Sequence, residues 1–340
     1  MYGHRRHRVL PGGVLALLLA YTALTAASHS LNNGRGSVSA VSWPLQGQAA
    51  LVLGNARLAA SPGEQPAPIA SLAKVMTAYL TLERYPLSGA QDGLTVAVTA
   101  TQAQEDAQDT AENQSDVAVA AGEQLTERQL LEALLIPSGN NIARILAAEV
   151  AGIETSFVAE MNVEAPALGM DHTIYTDPSG FDPGTVSTAA DQLRVFEQAM
   201  RFPVFRQIVS MPSVTLPVAG TLTNFNPLIA DGYAGKTGSD SAAAGCLAFF
   251  THATIGAREL TAAGVVLGQG QGSNTSGSSP PRARPPSGWS TPSTQRPAHR
   301  RSPRLSGLVP RARTAARSYS LPGGRALELM SMETTTAENV

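Results

Sequence analysis

Apolar segments with strand character stand at both ends of the main part of the chain. Their composition, rich in Val, Leu, Ala and Phe and bounded by turn residues, predicts short or buried strands. These segments are residues 49–54 and 56–60 near the start, and residues 243–251 and 260–267 further along. If these segments form one sheet, its strands come from both ends of this part of the chain. The residues between them are then expected to form an insertion.

Helical spacing of apolar residues fills that middle region. Thr126 and Gln129 fit a capping box, which predicts a helix that begins there and is stopped by Pro137. Other predicted helices begin at Ser71 or cover residues 142–150, 157–168 and 189–200. The pattern predicts a sheet assembled from both chain ends with a helical subdomain inserted between them.

Both ends of the chain differ in composition from this middle part. Residues 1–29 combine a basic start with an apolar run, which predicts a signal peptide or an uncleaved anchor, and hence export with possible membrane association. Residues 30–48 are a predicted linker. Residues 270–340 are dominated by Pro, Ser, Arg and Gly and are expected to be disordered. The remaining residues, 49–269, are the predicted catalytic domain.

Only two of the 24 Lys and Arg residues are lysines, and each lies within a short motif. Lys74 closes Ser71-Leu72-Ala73-Lys74, and residues three apart on a helix share a face, so its amine can reach the Ser71 hydroxyl. Arginine stays charged, whereas a buried lysine can lose its proton and act as a base. We therefore expect Lys74 to activate Ser71, with its pKa lowered by burial and by Lys236 as a second cation.

Two further triplets are weak signals when each is considered alone. Ser138-Gly139-Asn140 follows Pro137, where a hydroxyl and an amide could project into a cleft, although an ordinary turn between helices explains it equally well. Lys236-Thr237-Gly238 falls in a predicted strand, where Gly238 would let a ligand backbone approach the strand edge. Its Lys and Thr side chains could hold an anionic group.

Together the three motifs match the signature of penicillin-binding proteins and class A β-lactamases. From about Ala49 to Gly268 the chain resembles the D-alanyl-D-alanine carboxypeptidase family, the serine-type penicillin-binding proteins of low molecular mass. The additional segments that support this resemblance are residues 135–141, 168–170, 177–181, 187–189 and 231–238. The resemblance implies the penicillin-binding-protein fold, an α/β fold of the α+β type in which helices flank an antiparallel sheet, with the active site between the sheet and the helical subdomain.

The resemblance also implies the roles of individual residues. Ser71 would attack the carbonyl between the last two D-alanines of a peptidoglycan stem peptide, with Lys74 as the general base. The other implied site residues are Ser138 and Asn140 for proton relay and amide binding, Lys236 and Thr237 for the terminal carboxylate, Gly238 for substrate binding, and Ser239, whose backbone N–H would complete the oxyanion hole with that of Ser71. β-Lactam antibiotics should acylate Ser71.

Two alternatives remain open from the sequence. A class A β-lactamase needs a glutamate that activates the deacylating water, and the candidates Glu154, Glu160, Glu164 and Glu197 do not fit that family's sequence pattern. A catalytically impaired receptor for wall peptides or β-lactams is the other alternative, because the tail replaces a helix that usually covers the sheet in the resembled family.

No cofactor, metal or nucleic-acid partner is expected. His172 and His252 have no partners at metal-ligand spacing, and the Arg-rich tail lacks interleaved aromatic residues. The single cysteine, Cys246, lies in an apolar run and is expected to be a small core residue, so an internal disulfide is impossible. Two departures from the resembled family, Ala73 and Asn141-Ile142, lie beside the reactive groups without replacing them. They should only adjust the reactivity of those groups.

Overall fold

The computed structural model describes residues 42–111, 114–255 and 258–270. The predicted leader (1–29), most of the predicted linker (30–48) and almost all of the predicted tail (270–340) lie outside the described residues. Within the described ranges, no helix combines the length and the apolar character that crossing a membrane requires.

A five-stranded antiparallel sheet joins the two ends of the described chain. The strands of the described chain, in this sheet and in three short pairs, are β1 (Gln48–Leu53), β2 (Ala59–Ala60), β3 (Ala67–Pro68), β4 (Thr95–Ala97), β5 (Gln124–Thr126), β6 (Val186–Ser187), β7 (Ser213–Leu216), β8 (Gly220–Thr223), β9 (Ala234–Asp240), β10 (Ala244–Ile255) and β11 (Arg258–Gln269). The order in the five-stranded sheet is β2-β1-β11-β10-β9, so the first strand pairs with the last, with Val52 opposite Ala263. The predicted assembly of the sheet from both chain ends is confirmed.

The helices occupy the chain between these outer strands. They are α1 (Lys74–Arg84), α2 (Ala100–Ala111), α3 (Glu127–Leu135), α4 (Asn140–Ala151), α5 (Glu154–Ala167), α6 (Ala189–Ala199) and α7 (Pro203–Val209). α2, α7 and the β7–β8 hairpin are absent from the sequence predictions, and the predicted strand 56–60 is reduced to two residues. α2 carries many polar residues and α7 has only seven, so neither gives a strong apolar period.

Both faces of the sheet are buried, which explains its continuous apolar strands. Along β1, Ala50 and Val52 join the main core with the helices, whereas Ala49, Leu51 and Leu53 join a second cluster on the opposite face. Successive side chains of a strand point to opposite faces, so a strand buried on both sides shows no polar alternation. Cys246 is buried as predicted, and burial raises the pKa of its thiol to about 12.

α3 begins as the sequence predicts. Thr126 Oγ1 accepts from the Gln129 N–H at 3.2 Å, and Gln129 Oε1 accepts from the Thr126 N–H at 2.9 Å, which completes the capping box. The next residue, Glu127, is only 1% exposed, and its Oε1 has no hydrogen-bond partner among the described residues. Burial raises the pKa of this carboxyl to about 7.

Replacing Glu127 with Gln should stabilise the protein at alkaline pH. The folded state favours the protonated carboxyl, because its pKa of about 7 exceeds the ordinary 4.5. The wild type should therefore lose stability as the pH rises from about 4.5 through about 7. We expect Glu127→Gln to raise the free energy of unfolding at pH 8 by ~2 kcal/mol and to change it little at pH 4, measured by denaturant unfolding.

The exposed Glu83 on α1 provides the matched control for this experiment. Glu83→Gln should change the free energy of unfolding by no more than ~0.5 kcal/mol at either pH. Equal pH dependence of stability in the wild type and Glu127→Gln would show that this carboxyl is not the titrating group.

Candidate active site

Ser71 lies in a short 3₁₀ turn, Ala70–Ala73, that leads directly into α1. Ala70 has a φ of +46°, a left-handed conformation that is costly for a residue with a side chain. Gly180 packs on the carbonyl oxygen of Ala70. A Cβ atom on residue 180 would lie only 1.8 Å from that oxygen. The turn is thus held by the loop that contains Gly180, and it presents Ser71 as a half-buried residue beside Lys74.

The Lys74 amine is fully buried and surrounded by three oxygen atoms. Lys74 Nζ lies 2.9 Å from Ser71 Oγ, 2.6 Å from Asn140 Oδ1 and 3.1 Å from the Ser179 carbonyl oxygen. The residue is 0% exposed. This arrangement places the predicted base within hydrogen-bond distance of the predicted nucleophile.

Burial lowers the pKa of Lys74 to about 7, since desolvation disfavours the charged amine. Asp177 and Asp116 act in the opposite direction, and Arg144 lowers the pKa further. The sequence suggested Lys236 as the second cation, and the two buried lysines are coupled. Burial and then Lys74 lower the pKa of Lys236 well below the ordinary value, and this repulsion between the two amines is mutual.

The Ser138-Gly139-Asn140 turn connects the two buried lysines. Ser138 has a φ of +68°, and α4 begins at Asn140 immediately after the turn. Asn140 contacts Lys74, while Ser138 Oγ accepts from Lys236 Nζ at 2.8 Å. One three-residue turn therefore presents an amide to the first lysine and a hydroxyl to the second.

β9 places the third motif directly against the Ser71 turn. A Cβ on Gly238 would lie 3.0 Å from both the Ile69 carbonyl oxygen and the Ser71 nitrogen. Gly238 therefore lets the protein's own backbone approach the strand closely. Thr237 is half-buried and Ser239 is exposed on the same strand, while Lys236 also donates to the Thr237 carbonyl at 2.8 Å.

Several contributors to this site lie outside the three motifs. The Ser179 carbonyl reaches Lys74 from a loop that Asp177 organises through its bonds to the Ser179 and Phe181 N–H groups. Gln114 Oε1 accepts from Asn140 Nδ2 at 3.0 Å. Arg144 could have been found from the sequence, because it follows Asn140 by four residues and so shares its helix face.

The glutamates considered for a β-lactamase mechanism have other surroundings. Glu164 accepts from the Tyr79 hydroxyl at 3.2 Å, and Glu154 lines a cavity of about 430 Å³ together with Arg144 and Glu105. In residues 42–111, 114–255 and 258–270, none of Glu154, Glu160, Glu164 and Glu197 is hydrogen-bonded to Ser71, Lys74 or Asn140. The same ranges contain no group of three His, Cys, Asp or Glu side chains that could hold a metal ion.

Comparisons with known proteins agree on one family. The family model described as D-alanyl-D-alanine carboxypeptidase matches residues 51–270. The D-alanyl-D-alanine carboxypeptidase DacB2 of Mycobacterium tuberculosis is 39% identical over 153 residues, which cover 44% of this chain and 48% of that protein. The match thus spans about half the length of this curated relative.

Solved structures extend the similarity to most of the described chain. The crystal structure of the Streptomyces K15 DD-transpeptidase matches with a TM-score of 0.57 and 26% identity, over 67% of this chain and 92% of that one. An evolved penicillin-binding protein homologue from M. tuberculosis matches with a TM-score of 0.56 and 31% identity, over 67% and 85%. The chain belongs to the D-alanyl-D-alanine carboxypeptidase family.

Proposed function

We propose that this protein is a serine-type D-alanyl-D-alanine carboxypeptidase that removes the terminal D-alanine from peptidoglycan stem peptides. The observation that supports this most strongly is the Lys74 amine, buried and bonded to Ser71 Oγ, Asn140 Oδ1 and the Ser179 carbonyl. With a pKa near 7, a large fraction of this amine is neutral at neutral pH.

The neutral amine is oriented for proton abstraction. It has two N–H bonds and one lone pair, and two of its neighbours, Asn140 Oδ1 and the Ser179 carbonyl, can only accept hydrogen bonds. Both N–H bonds are therefore directed at these acceptors, and the lone pair faces Ser71 Oγ. Lys74 takes the Ser71 proton as Oγ forms a bond to the substrate carbonyl carbon.

Collapse of the tetrahedral intermediate breaks the C–N bond and leaves an ester on Ser71. The departing D-alanine nitrogen gains the proton that Lys74 took from Ser71, relayed through the Ser138 hydroxyl to which the buried Lys236 amine is bonded, and Lys74 is neutral again. Water then attacks the ester, with Lys74 as the base, and Ser71 is regenerated. The backbone N–H groups of Ser71 and Ser239 are proposed to stabilise the negative oxygen at each step.

Substrate binding is assigned to the groove beside β9. Thr237 and Ser239 are accessible on this strand, and Lys236 lies beneath it, where the negative charge of a bound terminal carboxylate would favour the charged form of its amine. Asn140 would hold the substrate amide through Nδ2. Because peptidoglycan lies outside the cytoplasm, we propose extracytoplasmic action, consistent with the export signal expected from residues 1–29.

The first test is the mass of the full chain after brief treatment with penicillin. We expect one adduct per chain, located on Ser71 and absent from Ser71→Ala, because β-lactams resemble the substrate. Ser210→Ala, at an exposed hydroxyl on the surface, should form the adduct as the wild type does. Release of D-alanine from a Lys-D-Ala-D-Ala peptide should require Ser71 as well.

An adduct without D-alanine release would favour the receptor alternative, and rapid turnover of a cephalosporin would favour a β-lactamase.

Lys74→Arg should slow acylation by roughly 100- to 10,000-fold, because arginine cannot accept the proton. In the wild type the acylation rate should rise with pH through about 7, as Lys74 becomes neutral. Both effects are measured as the second-order rate constant for labelling by fluorescent penicillin. Acylation of Lys74→Arg at the wild-type rate would contradict the assignment of Lys74 as the base.

Gly238→Ala should slow acylation by ~10- to 100-fold while the protein remains folded. The added methyl group contacts Ile69 and Ser71 at 3.0 Å, so β9 and the Ser71 turn must separate by a few tenths of an ångström. Labelling rates of Gly238→Ala should be compared with those of Gly220→Ala, where the added Cβ meets open space but the left-handed φ of +69° strains the backbone, so a loss of thermal stability alone can be told apart from displacement of the nucleophile. Unchanged labelling in Gly238→Ala would show that this close approach does not position the nucleophile.

A further inference from the structure

The Asn140 side chain is a bridge between Lys74 and Gln114, a residue outside the three motifs. Asn140 Oδ1 lies 2.6 Å from Lys74 Nζ, and Asn140 Nδ2 donates to Gln114 Oε1 at 3.0 Å. The two ends of an amide are chemically opposite, one accepting and the other donating. The partner at one end therefore determines what the amide presents at the other end.

We propose that Gln114 is a positioning residue whose side-chain oxygen keeps Asn140 Oδ1 directed at Lys74 and so aims the lone pair of the neutral amine at Ser71. This inference rests on the proposed function and deepens it. A flipped Asn140 would donate from Nδ2 to the lone pair of Lys74. The amine would then direct an N–H bond at Ser71 Oγ and could not take its proton.

The backbone around Gln114 is fixed independently of its side chain. The Asn140 N–H donates to the Ser115 carbonyl at 2.7 Å, and the Asn141 amide exchanges two hydrogen bonds with Val117, at 2.7 and 3.1 Å. The Asn141 N–H also donates to Asp116 Oδ1 at 3.2 Å. These bonds hold residues 114–117 against the start of α4, so a change of the Gln114 side chain should leave the segment in place.

The hydrogen-bonding character of residue 114 distinguishes this role from simple packing. Methionine has nearly the length of glutamine but only a weakly accepting sulfur atom, whereas an ionised glutamate is an acceptor at both oxygens. Gln114→Met therefore removes the oxygen that accepts from Asn140 Nδ2. Gln114→Glu keeps an accepting oxygen there and removes the N–H donors of the glutamine side chain. Gln207→Met, at an exposed position on α7, is the matched control.

The experiment measures the second-order rate constant for labelling of the full chain by fluorescent penicillin, at the alkaline plateau of its pH profile. We expect Gln114→Met to be ~10- to 100-fold slower than the wild type, because the base is misoriented in part of the population. Gln114→Glu should stay within about threefold, since it still accepts from Asn140 Nδ2. Gln207→Met should match the wild type, and all three variants should unfold at the wild-type temperature.

A second readout follows Lys74 directly by NMR of protein labelled with ¹³Cε-lysine. The chain has two lysines, so the signal that disappears in Lys74→Arg belongs to Lys74. In Gln114→Met the neutral amine gains a second arrangement with the flipped amide, so the pKa of Lys74 should fall. A larger neutral fraction combined with slower labelling is a signature of misorientation that simple loss of packing does not produce.

The outcomes separate this inference from the proposed function. If Gln114→Met were labelled at the wild-type rate and its Lys74 titrated as in the wild type, the role of Gln114 would be overturned. The proposed function would stand. Equal slowing of the Met and Glu variants at the plateau would also overturn it. If the wild type formed no Ser71 adduct, the proposed function would fail, and the Lys74 titration in Gln114→Met would still decide whether Gln114 orients Asn140.

Discussion

The burial of one lysine amine among three oxygen atoms is the constraint around which this site is arranged. Removing an ammonium group from water costs several kcal/mol, and the hydrogen bonds that it donates to Ser71, Asn140 and Ser179 offset only part of that cost. The amine therefore becomes neutral near pH 7. Because those neighbours come from three separate segments, the fold must bring a helix start, an interhelical turn and a loop to one point.

Unusual backbone geometry is concentrated at the same point. Ala70 and Ser138, two of the three non-glycine residues with positive φ in the described part of the chain, have values of +46° and +68°, and close approaches at Gly180 and Gly238 both involve the Ser71 turn. Strained or crowded backbone of this kind persists only where the surrounding structure holds it. Here the sheet edge, the loop at 177–181 and the segment 114–117 hold the reacting groups in position.

The two lysines have separate surroundings although one turn links them. Lys74 contacts Ser71 directly and is bonded to Asn140, whereas Lys236 is bonded to Ser138. Burial favours the neutral form of both amines, and an anionic carboxylate bound beside Lys236 would favour its charged form. The pKa of Lys74 is lowered mainly by burial, with Arg144 and the coupled Lys236 as additional cations.

Much of this organisation could be predicted from local sequence, and the rest could not. The capping box at Thr126 and the strands at both chain ends follow from short-range patterns, and the Ser71-x-x-Lys74 spacing identifies a reactive pair. Gln114 and the Ser179 carbonyl act through tertiary contacts, and a backbone carbonyl leaves no side-chain signature in a sequence. β2 is shorter than predicted because only two of its residues find a partner strand.

The titration of Lys74 in the wild-type protein tests this account most directly. Protein labelled with ¹³Cε-lysine should show one signal that is absent from Lys74→Arg, and the account predicts that it titrates with a pKa of about 7. Such a value would place a neutral amine beside Ser71 at neutral pH. A pKa near the ordinary 10.5 would show that Lys74 remains charged, and would contradict its assignment as the base.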